Sequence, residues 1–403
     1  MKAVIEMAEH PSVAEGEHLI ASFAGSPTGP TLIAIGGIHG NEPAGAEALF
    51  EVAGQLEQIK DALRGRVYFL IGNTRALQQG IRFIDQDLNR SWTRECLSIV
   101  GSDRLMDISE GRELTEIDRL LDSILITARA EVFVLDLHST SAGGVPFATV
   151  GDTLRNRTFA QKFPVTMLLG IEEQLDGTML EHLNNTGAVT LGFEGGRHDS
   201  PETVRNHSAI VWLALVNSGI LDPKNVPDLV ALRARLADGK RRGRVVEVRH
   251  REAISSGDGF TMLQGFNNFE PITAGQMLAN NKMGPIRASE SGLILMPLYQ
   301  KLGEDGFFIG RAVAPFWLSL SAALRRLKLQ NIVHWLPGVR RDPDDRETII
   351  VNTQVARFFP LQVFHLLGFR RRRSSGGKLI VSRRRHDTDS PFEPGIRIRI
   401  SNY

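Results

Sequence analysis

With 403 residues, 42% of them hydrophobic and 23% charged, the chain is too long for one ordinary core, and two or three folded domains are expected rather than a disordered or membrane-embedded chain. A formal net charge of +1 predicts no general affinity for nucleic acid or acidic surfaces. The single cysteine, Cys96, excludes an intrachain disulfide framework and suits a reducing compartment.

The first residues, MKAVIEMAEHPSV, place Glu6, Glu9 and His10 where a signal peptide needs an unbroken apolar core. No apolar run approaches the roughly 20 residues of a spanning helix. A cytoplasmic protein without membrane or nucleic-acid partners is therefore expected, with self-association left open. Residues 1–30 alternate weakly, like an opening strand or two. Leu32–Ile35 is a short apolar run with β-branched residues, reading as a buried strand. Gly36-Gly37 breaks it, His39 and Glu42 follow in the turn, and Pro43 suits the first position of a helix running through AGAEALFEVAGQL. Val67–Ile71 reads as the next buried strand, followed by a loop to Arg90. Leu114, Ile117, Leu120, Leu121 and Ile124 recur at helical spacing. Val132–Leu135 and Ala188–Phe193 are two more strands, running into Asp136-Leu137-His138-Ser139 and Glu194-Gly195-Gly196 respectively. His207–Val216 reads as a helix. Strands alternating with helices predict an α/β fold whose mainly parallel or mixed sheet is flanked by helices.

Near Asp222 the texture changes. Residues 1–225 are expected to form the catalytic domain and 226–244 a charged linker helix. The Gly-punctuated strands of 245–313 predict a small all-β domain. Residues 314–403 are expected to be an α+β extension of unknown role, with a hairpin about Ser374–Gly377. Its flanking runs Arg370–Arg373 and Arg383–Arg385 could meet an acidic partner, RNA or anionic lipid, but read as a solvated hairpin because the whole-chain charge is near zero.

Three strand ends offer His39 with Glu42, His138, and Glu194. Hydrolytic zinc takes three protein ligands from His and carboxylate and leaves a fourth position for water, and His39, Glu42 and His138 supply that set. Glu194 has the chemistry of a general base that takes the water's proton and later delivers it to a leaving nitrogen. In the loop 82–90, Arg90 can grip a carboxylate with two parallel hydrogen bonds and Asn89 can donate a third. Arg82 could clamp a carboxylate or stabilise an oxyanion. Taken singly, each of these features has a structural explanation: a turn-capping histidine, or arginines paired with Asp85 and Asp87. No dinucleotide fingerprint or P-loop is present.

GGIHGNEPAG (36–45), RFIDQDLNR (82–90), DLHS (136–139) and FEGG (193–196), in that order, resemble the succinylglutamate desuccinylase/aspartoacylase family, which is related to the zinc carboxypeptidases. The resemblance covers 31 to about 218, and segment 245–313 looks like the family's small C-terminal β domain. It implies one zinc per chain on His39, Glu42 and His138, with Glu194 as general base and acid. Arg82 then polarises the scissile carbonyl, and Asn89 with Arg90 binds the free carboxylate of a small substrate. The implied activity is zinc-dependent hydrolysis of the amide of an N-acyl amino acid by zinc-bound water, of the desuccinylase or deacylase type. A zinc carboxypeptidase acting on peptides, and a non-enzymatic binding module, are the alternatives. The chain departs from the family in lacking an obvious substrate tyrosine, Tyr299 being the one candidate among Tyr68, Tyr299 and Tyr403. It also lacks a clear second substrate arginine, for which Arg155, Arg157 and Arg197 are available. His182 and His198 lie near the expected base, and His198 is the one that could line a pocket.

Overall fold

The computed structural model describes residues 14–171, 174–237, 244–352, 361–375 and 378–392. Strand β2 (Thr31–Gly36) is buried at every position, and its alternation divides the core. Leu32 and Ala34 join one cluster with Leu49, Val52 and Leu56 of the helix Ala44–Glu57. Ile33 and Ile35 join another with Leu114, Ile117 and Leu121 of the helix Ser109–Thr127. An apolar run without polar alternation is what a strand covered on both faces requires. β2 pairs in parallel with β3 (Arg66–Ile71) and with β4 (Val132–Thr140), and β4 pairs in parallel with β7 (Val189–Arg197). β1 (Leu19–Ala24) pairs antiparallel to β3 at the edge.

The same alternation aims the functional side chains. In β4, Leu135 and Leu137 belong to the first core and Val132 and Val134 to the second. Asp136 and His138 therefore continue the second row toward the carboxyl end of the strand. In β7, Val189, Leu191 and Phe193 face the first core, which turns Glu194 to the other side. His138 and Glu194 are direct register partners. Both strands run further than their apolar runs, because their polar carboxyl ends keep pairing with each other. At the end of β2 the backbone turns at Gly37 (φ +70°). A Cβ on Gly36 would lie 2.5 Å from the backbone of Gly45 and Ala46, so bare glycine lets the next helix start against the sheet.

Two strands carry no clear sequence signal, β5 (Phe147–Val150) and β6 (Thr166–Leu169), each of four residues. β5 pairs antiparallel with β7 and parallel with β6. The expected all-β segment is indeed built of strands, but it does not stand apart. β8 (Val245–Ala253) pairs in parallel with β6, and β14 (Asp305–Ala312), β13 (Gly292–Leu295) and β10 (Pro271–Ile272) extend the central sheet to 11 strands. Only β9 (Thr261–Met262), β11 (Met277–Asn281) and β12 (Gly284–Arg287) form a separate three-stranded sheet. Within 226–244 the described helix is Leu229–Leu236, and residues 238–243 lie outside the described residues.

The extension has a core of its own, including Val339, Val351, Phe364, Phe369 and Val381. Its antiparallel sheet is ordered β15 (Val339–Arg341), β16 (Thr348–Asn352), β18 (Lys378–Ser382), β17 (Arg371–Ser375). β17 and β18 make the expected hairpin, whose Gly376-Gly377 tip lies outside the described residues. A buried ion network fixes this unit to the rest. Arg325, 1% exposed, reaches Asp152 at 3.0 Å and also pairs with Asp387, while Arg157 and Arg370 close on Asp152 as well. Burial pushes the Asp152 carboxyl up, but Arg157, Arg370 and Arg325 outweigh it and hold it well below the usual range. Burial likewise opposes, and His365 and Arg370 overcome it, in bringing the Glu247 carboxyl down to about 2. No helix among the described residues is long and apolar enough to cross a membrane.

Removing one partner of a buried pair leaves a charge uncompensated, so Arg325→Ala should cost about 3–5 kcal/mol in urea unfolding. A loss under 1 kcal/mol would contradict the network's role. Both carboxylates have folded pKa values below their unfolded ones. Their stabilisation is present above the ordinary carboxylate value and lost as pH falls, for Glu247 between 4.5 and about 2. Acid unfolding of Arg370→Ala should show a smaller loss over that window than the wild-type protein.

Candidate active site

The residues singled out in the sequence meet in one cavity of about 150 Å3. Its wall includes His39, Glu42, Arg82, Asn89, Arg90, His138 and Glu194. His39 and Glu42 come from the turn after β2. One ligand atom each from His39, Glu42 and His138 lies within 4.8 Å of the others. His39 Nδ1 is 3.0 Å from Glu42 Oε1, and His138 Nδ1 is 3.4 Å from Glu42 Oε2. Each imidazole has a carboxylate behind its other nitrogen: Asp87 Oδ1 lies 3.1 Å from His39 Nε2, and Asp136 Oδ2 lies 2.8 Å from His138 Nε2. A carboxylate behind a ligating histidine fixes its ring and raises its basicity. The Ser139 backbone N–H donates to Glu42 Oε2 at 2.9 Å, and His207 Nε2 donates to the His138 carbonyl at 2.8 Å.

Electrostatics at this edge are lopsided. Glu42, Asp87, Asp136 and Glu194 are four carboxyl groups, and Arg82, which pairs with Asp87 at 2.9 Å, is the arginine among them. Burial pushes Glu42 up, but the charges of His39 and His138 hold it well below its ordinary value. Burial would lower His138, yet Asp136 and Glu42 raise it well above the usual imidazole range. Glu194 is different. Burial, reinforced by Glu42 and Asp136 against the pull of His138 and Arg82, pushes its carboxyl up to about 8. Its Oε2 is buried without a hydrogen-bond partner. An imidazole nitrogen, a carboxylate and a second imidazole nitrogen, converging inside an excess of negative charge, fit a divalent cation. A cation there would draw the Glu194 value down.

A second cluster among the described residues, His18, Glu113 and Glu116, also has ligand geometry. It is closed around a cation of its own: Arg75 donates to Glu113 at 2.7 Å and to Glu116 at 2.9 Å, while Thr74 caps Glu113.

The loop 82–90 is held by a carboxylate with no signal of its own in the sequence. Glu110, fully buried at the start of Ser109–Thr127, accepts from the backbone N–H groups of Ile84, Asp85 and Gln86 and from Asn73. It thereby pins the loop that carries Arg82, Asp87, Asn89 and Arg90. Asn89 Oδ1 accepts from Met179 N at 3.0 Å, which leaves its NH2 group for the cavity. Arg90 donates to Asp305 at 3.0 Å, and Asp305 also pairs with Arg251. Arg90 Nε also lies 3.8 Å from Glu304, so two arginines and two carboxylates meet at this wall of the cavity. β-Segment residues Met296, Leu298 and Phe308 also line the cavity, with Ile171, Leu175 and Leu180. His198 lines the cavity too, with Ser139 Oγ 2.7 Å from its Nδ1 and Gln300 Oε1 3.2 Å from its Nε2.

Other candidates lie elsewhere. The Tyr299 hydroxyl is bonded to the backbone of Leu263 and Phe266. Arg155 pairs with Glu131, Arg157 with Asp152, and Arg197 with Asp199, none of them in the cavity wall. His182 packs against Trp92, ring centroids 5.4 Å apart. Asp136 was within reach of sequence reasoning, since it sits two residues before His138 on the same face of one strand. Asp305 was not, because nothing local ties it to Arg90.

The succinylglutamate desuccinylase/aspartoacylase catalytic-domain profile matches residues 28–212, the stretch that holds all seven of these residues. Residues 28–212 thus carry the catalytic domain of the succinylglutamate desuccinylase/aspartoacylase family. It is 29% identical over 131 residues to a succinylglutamate desuccinylase of Pseudomonas paraeruginosa, covering 32% of this chain and 37% of that protein. It is 28% identical over 210 residues to an N-acyl-aromatic-L-amino acid amidohydrolase (carboxylate-forming) of Xenopus laevis, covering 48% of this chain and 64% of that one. The match thus spans little more than a third of the Pseudomonas desuccinylase. A crystal structure of a succinylglutamate desuccinylase/aspartoacylase from Rhodobacter sphaeroides shares the fold, with a TM-score of 0.55 at 19% identity over 73% of this chain and 88% of that one. The shared fold therefore covers more of the chain than the stretch 28–212.

Titrated with Zn2+ against a chromophoric chelator, Asp136→Asn should hold the ion about 10- to 100-fold more weakly than the wild-type protein. Unchanged affinity would show that Asp136 does not support a ligand.

Proposed function

We propose that the protein is a zinc-dependent amidohydrolase that cleaves an N-acyl amino acid, or a related small compound with a free carboxylate, to a carboxylic acid and an amine. The observation that carries this reading is the Glu194 carboxyl, buried with an unpartnered oxygen in the cavity that also holds the His39–Glu42–His138 cluster. His39, Glu42 and His138 would hold one zinc per chain, which supplies Lewis acidity at the scissile carbonyl and makes water a better nucleophile at neutral pH.

The chain's own residues do the rest. Glu194 takes one proton from the attacking water and returns it to the leaving nitrogen as the C–N bond breaks. Arg82, close to the ligand cluster, offers N–H donors and positive charge to the oxyanion that develops on the carbonyl. Arg90 and the Asn89 amide receive the substrate's carboxylate, with Asp305 and Arg251 holding the Arg90 guanidinium in place. The β segment contributes Met296, Leu298 and Gln300 to the wall of a cavity of about 150 Å3, a size that supports small acyl amino acids over peptides.

Glu194→Gln should lower kcat by about 10²–10⁴-fold on the best member of a panel of N-acetyl, N-succinyl and N-formyl amino acids while zinc content stays at one per chain. Retained activity would remove Glu194 from its role. Arg90→Ala should raise KM for N-acyl amino acids much more than for the same compounds with the carboxylate amidated. Equal effects on both would mean that Arg90 does not read the carboxylate.

A further inference from the structure

The helix Pro315–Arg326 packs Leu318 against the main core and Leu324 against the core of the extension, yet leaves large apolar side chains at its start in water. Its buried positions are Ser321 and Arg325, both polar. Arg325 enters the ion network with Asp152 and Asp387, and Ser321 donates to the Leu366 carbonyl at 2.8 Å. Outside, with the polar Ser319 and Arg326, are three large apolar side chains: Phe316 is 65% exposed, Trp317 51% and Leu327, just past the helix, 71%. The Phe316 and Trp317 rings pack edge to face on each other, centroids 5.2 Å apart, rather than against a core. Further along the same stretch Ile332 is 44% exposed and Trp335 75%.

Charge in the chain is segregated in the same sense. Residues 314–403 hold 17 Lys and Arg against 7 Asp and Glu, a net of +10, whereas residues 1–313 hold 30 against 39, a net of −9. The overall +1 conceals two opposite halves. Part of the positive charge is spent within the fold, as at Arg325 and Arg370, but Arg326, Lys328, Arg340 and Arg341 are exposed beside the apolar residues.

We propose that this face, from Phe316 through Trp335, docks the protein on an anionic lipid bilayer. Aromatic and branched aliphatic side chains flanked by exposed arginine and lysine suit the interface of an acidic leaflet, where rings and Leu side chains enter the headgroup boundary and cations meet lipid phosphates. Isologous pairing with a second copy would bring two strongly basic surfaces together. Single-stranded nucleic acid would use the rings and the cations but leave Leu327 and Ile332 in water.

The test uses the full chain and vesicles of phosphatidylcholine with or without phosphatidylglycerol. Trp92 and Trp212 are buried at 4% and 3% exposure, so Trp317 and Trp335 dominate any change in intrinsic fluorescence. Expected are flotation with the phosphatidylglycerol vesicles only, reversal by high salt, and a blue shift of the emission. The Trp317→Ser/Trp335→Ser variant should lose the blue shift, and Arg326→Glu/Lys328→Glu should bind at least tenfold more weakly. Both variants should keep the wild-type rate on N-acyl substrates and the wild-type circular dichroism. No flotation at low salt overturns the proposal. So does binding of poly(U) without vesicle binding, or concentration-dependent dimerisation that the tryptophan variant abolishes.

Discussion

At the carboxyl edge of the central sheet, four carboxyl groups lie together below the surface with two imidazoles and one arginine. The rest of the structure is arranged around that charge. Such a cluster is costly unless a cation completes it. Asp136 and Glu42 raise His138 above the usual imidazole range against its burial, and burial raises Glu194. Strand alternation sends Asp136, His138 and Glu194 to a single face, and the β4–β7 register sets the last two side by side. A tight turn after β2 delivers His39 and Glu42 to the same point. From a neighbouring helix, Glu110 gathers three loop N–H groups and so holds Arg82, Asp87, Asn89 and Arg90 at the rim. Scaffold and site share these elements, because the strands that bury the core are the ones that end in the functional side chains.

How much of this was legible in the sequence follows from range. β2, β3, β4 and β7 are buried on both faces, so each appears as an unbroken apolar run, and the polar residues just after each run mark the sheet edge. That made His39, Glu42, His138 and Glu194 visible as a set. Pairing across long distances leaves no such trace. Nothing near Asp305 announces that it will hold Arg90, 215 positions earlier. The four-residue strands β5 and β6 are too short to stand out by periodicity. Continuation of the sheet through β8 depends on a parallel pairing with β6, which no local pattern reveals. The β-rich segment was therefore expected as a unit of its own, although most of its strands extend the sheet that carries the site.

The extension gives a different lesson. Its arginines looked like a solvated hairpin because the chain as a whole is almost neutral, and a sum over 403 residues hides a basic C-terminal stretch set against an acidic remainder. The fold then divides those arginines between two tasks. Arg325 and Arg370 turn inward to Asp152 and lock the extension onto the sheet. Arg326 and Lys328 stay outside next to rings that have no core to enter. The extension is thus anchored tightly on one side and presents exposed aromatic and basic residues on the other.

The central claim is that His39, Glu42 and His138 surround one metal ion while Glu194 stands free of it. Anomalous diffraction at the zinc edge, from crystals of protein purified without chelator, tests it directly. The account predicts a single peak per chain, within coordination distance of both Nδ1 atoms and the Glu42 carboxylate and beyond that distance from Glu194. A peak between His18, Glu113 and Glu116, a peak ligated by Glu194, or no peak in zinc-soaked crystals would contradict it.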